Sequence, residues 1–198
     1  MGLLVLAGSG VAQSNKTPIR IGALHNVTGS LGSIGQPSLD GALLAAKQLN
    51  ERGGVLGRPV ELVARDGRSD PAVVAASTRE LVRMPHMAAI TGLNDTEMAL
   101  AAAPVAEKAR MVFLTSGATS PKVPLEFPRF YFMTCFGDNT QAAAGAEYAH
   151  GALGLKTAWL LFDDTTDFTV LLAGYFKERY TALGGQILGE DTYAGGML

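Results

Sequence analysis

One cysteine, Cys135, in 198 residues excludes an internal disulfide and any cysteine-built metal site. Charge is scarce as well: 17% of the residues are charged, and 16 basic against 18 acidic side chains leave a net charge of −2. No basic stripe forms, which argues against nucleic acid and anionic membrane surfaces as partners. No apolar run reaches the ~18 residues that a membrane span requires. HExxH, G-x-S-x-G and Walker sequences are missing, so the commonest hydrolase and NTPase signatures are absent. His25, His86 and His150 lie far apart without ligand spacing, and no metal or cofactor is expected. What the chain does have is glycine, 24 residues of it, and a 47% hydrophobic share. That is the composition of a globular chain rich in α/β turns. At about 100–200 residues per domain, the length fits one full domain and part of a second.

The pattern along the chain is strand, helix, strand. Met1–Ala12 is apolar and ends in Gly10-Val11-Ala12, like the end of an export signal cleaved after Ala12, although it lacks a basic n-region. Ile19–Leu24 reads as the first strand. A loop with Gly29, Gly32 and Gly35 follows, and Gln36-Pro37 is expected to open a helix with proline in its first turn. That helix shows Leu39, Ala42, Leu43, Ala46 and Leu49 on one face and stops at Gly53-Gly54. Pro59–Asp66 reads as the second strand, and Asp70-Pro71 caps a helix that ends before Pro85. Met87–Thr91 and Met111–Thr115 flank a third helix, in which Pro104 predicts a kink or restart near Ala103. Phe130–Thr134 is a fifth strand, and Asp138 is read as the cap of an Ala-rich helix.

From Asp138 the design starts again, with a strand over Thr157–Phe162 and a helix marked by Phe168, Leu172, Tyr175, Phe176 and Leu183. Gly184-Gly185 stops that helix, as Gly53-Gly54 stops the first one. The repeat implies an α/β fold of two doubly wound parallel lobes, the first over 13–137 and the second begun at 138–198 but incomplete. The chain therefore reads as a fragment or a truncated product. The helix face of Leu172, Phe176 and Leu183 is expected to lie uncovered.

Candidate chemistry gathers after the strands. Asn94-Asp95-Thr96 and Ser116–Ser120 are polar turns at the ends of parallel strands, where helix N-termini and free N–H groups suit a carboxylate. Helix caps and turn residues account for the same side chains. The three glycines of the first loop recur every third residue, which is not the spacing of a dinucleotide site. His25 is read as a satisfied loop histidine, Cys135 as a small buried residue, and Asp163, Asp164 and Asp167 as a capping cluster.

Four stretches together resemble one family: Gly53–Leu62, Asp66-x-x-Ser69-Asp70-Pro71, Ala103–Glu107 and Thr115–Pro121. They are similar to the periplasmic substrate-binding proteins of branched-chain amino acid ABC transporters, and the likeness runs from Ile19 to Tyr193. The resemblance implies a type I periplasmic-binding fold with flavodoxin-like lobes that close over a small-molecule ligand. It also implies a periplasmic location, an inner-membrane ABC permease as partner, and binding without catalysis. The ligand would be an amino acid or another small carboxylate. Carried over by position, the carboxylate-binding hydroxyl falls on Thr96, the turn on Gly117, Ala118 and Thr119, and the aromatic lid on Phe168. Ile34 stands where an aromatic is common, Asp95 precedes the hydroxyl, and Phe168-Thr169 replaces Tyr-Gly. A cytosolic sensor of the same fold is the alternative, and an export signal separates the two.

Overall fold

The computed structural model describes residues 16–195, so the expected signal segment Met1–Ala12 lies outside the described residues. The chain runs β1 (Ile19–His25), α1 (Gly32–Glu51), β2 (Val60–Asp66), α2 (Pro71–Leu81), β3 (Met87–Gly92) and α3 (Thr96–Ala109). It continues through β4 (Phe113–Thr115), a short α4 (Lys122–Glu126) and β5 (Tyr131–Met133). These five strands form one parallel sheet in the order β2-β1-β3-β4-β5. The chain then passes through α5 (Asp138–Glu147), a π-helical turn (Tyr148–Ala152), β6 (Thr157–Asp163), α6 (Asp167–Ala182) and β7 (Gln186–Tyr193). Strands β6 and β7 pair in parallel as a separate sheet, and α5 packs on α6.

The core lies between the five-stranded sheet and helices α2 and α3. Leu24, Ile90, Phe113 and Tyr131 from the strands meet Val74, Leu81, Met98, Ala99 and Ala102 from the helices. Each large apolar side chain so buried stabilises the fold by about 1.5–3 kcal/mol. The Phe113 and Tyr131 rings stack with centroids 5.8 Å apart.

Local rules explain some boundaries. The Asp70 carboxylate accepts the N–H groups of Ala72 (2.7 Å) and Val73 (3.3 Å), and Pro71 occupies the first helical position, where its missing N–H costs nothing. Tertiary contacts move others. Helix α1 begins at Gly32, not at Gln36, so Pro37 lies inside it. The Ser69 hydroxyl accepts the Leu31 N–H at 3.0 Å, and Gly35 packs so tightly that a Cβ there would sit 1.9 Å from the Asn26 carbonyl oxygen. Together these contacts build a first turn without a side-chain cap. Pro104 does not interrupt α3, which runs unbroken in an Ala-rich sequence from Thr96 to Ala109.

Two further expectations are corrected. Asp138 does not cap α5: the cap is Gly137, and the Asp138 side chain points into a fully buried site. Leu172, Phe176 and Leu183 are half-buried, because α5 covers α6. In this part of the chain the more exposed apolar side chains include Trp159, Leu161 and Leu188 on β6 and β7, each more than half exposed.

Candidate ligand-binding cleft

Strand β1 sends its chain to β2 on one side of the sheet, while the chain from β3 goes to β4 on the other. The order β2-β1-β3 is a topological switch point, and the loops leaving β1 and β3 diverge there to open a crevice. A cleft of about 460 Å³ lies at this place, within the usual size range for small-molecule sites. Leu31 and Ile34 line it after β1, Asn94, Asp95 and Thr96 after β3, and Gly117 and Thr119 after β4. The facing wall comes from the second sheet: Asp163, Thr166, Phe168 and Thr169 from the β6–α6 turn, and Tyr193 from the end of β7. Gln141 on α5 lines it as well.

Hydrogen bonds fix the first wall. Asn94 ties three loops together: its Oδ1 accepts from the Ser116 hydroxyl at 2.7 Å, and its Nδ2 reaches the Ile34 carbonyl at 3.5 Å. The Thr115 hydroxyl donates to the Leu93 carbonyl at 2.8 Å and accepts the Ala118 N–H at 3.0 Å, which shapes the turn bearing Gly117 and Thr119. Asp95 caps α3 by accepting the N–H groups of Glu97 (2.9 Å) and Met98 (3.2 Å). The helix end therefore spends these two donors on its own cap, which leaves a ligand acid to other groups of the cleft. Thr96 is available for that, since its hydroxyl is buried, lines the cleft and has no hydrogen-bond partner. A buried polar atom left unpaired costs on the order of 1–3 kcal/mol, which a ligand bond would recover.

Behind this wall, Asp66 holds the first glycine loop. Its carboxylate accepts the N–H groups of Val27, Thr28 and Arg68 and the Thr28 hydroxyl. Burial pushes its pKa up, but these bonds outweigh burial and hold it below the usual carboxylate value. His25 is not satisfied as its sequence context implied. Both ring nitrogens are buried without partners beside the cleft, and burial lowers its pKa, which keeps the ring neutral. On the facing wall, the Asp163 carboxylate accepts the Thr165 N–H (2.8 Å) and hydroxyl (2.6 Å), and these bonds lower its pKa. The cap of α6 is Thr166, not an aspartate of the cluster.

Of the seven residues marked in the sequence, the structure brings six to this one cleft: Ile34, Asp95, Thr96, Gly117, Thr119 and Phe168. Ala118 lies beneath them, almost fully buried. The sequence marks Asn94 only as part of the polar turn with Asp95 and gives no sign that it ties three loops together. Asp163 reads there as a capping residue, and Tyr193, at the end of a strand, carries no local signal at all.

Residues 18–197 match the family model described as periplasmic binding protein. The chain belongs to that family. Relatives share its fold at modest identity. An amino acid binding protein of Pseudomonas aeruginosa is 27% identical over 83% of this chain and 45% of its own length. The branched-chain amino acid transporter substrate-binding protein LivJ of Streptococcus pneumoniae, solved with isoleucine, superposes with a TM-score of 0.83 at 28% identity, over 91% of this chain and 51% of that one. A solute-binding protein of an ABC transporter from Rhodopseudomonas palustris, solved with 3,4-dihydroxybenzoic acid, has a TM-score of 0.78 at 25% identity, over 89% and 47%. The chain thus spans about half the length of the relatives it matches, and it has the type I periplasmic-binding architecture of the branched-chain amino acid transporter proteins.

Proposed function

We propose that this chain carries the ligand-holding part of an extracytoplasmic solute receptor, which takes up an amino acid between two lobes and delivers it to an inner-membrane ABC permease. In this reading residues 13–137 form the first lobe and 138–198 begin the second. The observation that carries it is the unpartnered Thr96 hydroxyl in a cleft at the switch point, faced by Thr119 and closed from the other sheet by Phe168. Family membership supports a binding role over a catalytic one.

Charge favours an amino acid over an aromatic acid. Asp95 and Asp163 line the cleft, and among the described residues no Lys, Arg or His does. A bare carboxylate anion would enter a negative site, whereas a zwitterion brings its own ammonium to offset the field. Calorimetric titration with the proteinogenic L-amino acids and with 3,4-dihydroxybenzoate tests this, and saturable binding confined to the benzoate would overturn the choice. Thr119→Val, which removes a hydroxyl at nearly constant size, should weaken binding of the preferred amino acid about ten- to a hundredfold, as expected for a lost bond to a charged group. Unchanged affinity would remove Thr119 from the site.

A further inference from the structure

Asp138 is the buried acid that the cleft, as described so far, does not use. It is fully enclosed at the start of α5, and neither carboxylate oxygen makes a hydrogen bond of regular geometry. An enclosed charge without a partner is costly, so such a group ordinarily has a task or gives up its charge. Its surroundings indicate the task. The Asp138 N–H donates to the Thr119 carbonyl at 2.9 Å, so the two residues are fastened through the backbone. Burial raises the Asp138 pKa, and the Thr119 hydroxyl is the group that draws it back down. Thr119 is also a cleft residue. The other titratable neighbour is Cys135, whose thiol is pushed up by its own burial and by the Asp138 charge, and Tyr131 lies beyond it.

We propose that Asp138 is a positioning residue of the ligand cleft, which accepts the proton of the Thr119 hydroxyl in a hydrogen bond and so leaves the Thr119 oxygen facing the ligand as an acceptor. A hydroxyl has one proton to donate and two lone pairs. Once the proton is engaged with Asp138, Thr119 accepts from an ammonium and offers nothing to a carboxylate, which falls to the free hydroxyl of Thr96. When Asp138 is protonated its own O–H donates to Thr119, and the Thr119 proton is released toward the cleft. The charge state of a residue outside the cleft thereby sets which end of a zwitterion Thr119 holds. This rests on the amino-acid reading above, but one of its tests does not.

The ligand-free test follows the Asp138 side-chain carboxyl carbon by NMR against pH. Its midpoint is expected above the ordinary carboxylate value, and higher still in Thr119→Val, where the steadying hydroxyl is gone. A midpoint that does not respond to Thr119→Val overturns the pairing. The ligand test uses L-isoleucine in a double-mutant cycle, with thermal unfolding of each variant confirming the fold. Asp138→Asn, whose amide donates to Thr119 and reverses its polarity, should weaken binding tenfold or more and abolish the pH dependence of affinity. In the Thr119→Val background the same change should cost less than twofold, while in Thr119→Ser, which keeps the hydroxyl, it should again cost tenfold. Wild-type affinity in Asp138→Asn, or an equal loss in both backgrounds, overturns the proposal. Failure of the wild-type chain to bind isoleucine counts against the amino-acid reading instead, and the carboxyl titration then decides the pairing.

Discussion

A carboxyl group shut away from water holds its proton more tightly than one in the unfolded chain, and that preference has a thermodynamic sign. For Asp138 the folded-state pKa is raised, with burial as the cause and the Thr119 hydroxyl opposing it. The stability this group contributes is full below the ordinary carboxyl value, near 3.8, and is withdrawn as pH rises through the higher folded value. Above that folded value the ligand-free protein carries a charge it would be more stable without. Asp138→Asn should raise the melting temperature at pH 7.5 by roughly 2–4 °C, the shift that corresponds to about 1 kcal/mol in a protein of this size. Below pH 4 the gain should disappear. Scanning calorimetry at the two pH values checks this, and equal destabilisation at both would mean that the side chain is held by bonds the geometry does not reveal. A variant that gains stability while losing affinity is what a functional strain looks like when it is released.

At the scale of elements, the sequence was legible wherever a local rule and the tertiary contacts point the same way. Asp70-Pro71 starts α2 and Gly184 ends α6 as those residue types demand, and the hydroxyl-rich turns after β3 and β4 mark one wall of the cleft. Legibility ended where a partner distant in sequence decides. The start of α1 is set by Ser69 and by the contact of Gly35 with Asn26, neither of which leaves a periodic trace. Asp138 has the type and position of a cap, and only the fold shows that it is enclosed behind Thr119. The far wall, with Asp163, Thr166, Thr169 and Tyr193, arises from the setting of one sheet against another, which no short stretch of sequence encodes. The Gly35 contact gives a test at this scale. A methyl group at Gly35 meets the Asn26 carbonyl, so Gly35→Ala should destabilise the protein by about 1–3 kcal/mol in urea unfolding. It should also displace Ile34 from the cleft. If stability is unaffected, the tight entry to α1 is not what fixes that loop.

The whole molecule presents two sheets of unequal standing. The five-stranded sheet has a continuous core against its helices, whereas the β6–β7 pair leaves Trp159, Leu161 and Leu188 more than half exposed. Exposed apolar residues on a two-stranded sheet favour association of copies. The chain as given should show a concentration-dependent mass in sedimentation, and Leu161→Lys should reduce it. A mass that stays monomeric up to high concentration would mean that these side chains find cover within the molecule. Among the described residues the two sheets also share no strand-to-strand ladder. Nothing in their backbone hydrogen bonding obliges them to open together, and separate cooperative units exchange their amide protons by separate routes. Deuterium should enter β6 and β7 long before it reaches the Leu24 and Ile90 amides, as though two proteins of different ages shared one chain. A ligand gripped by both walls would bring the two clocks closer to the same time.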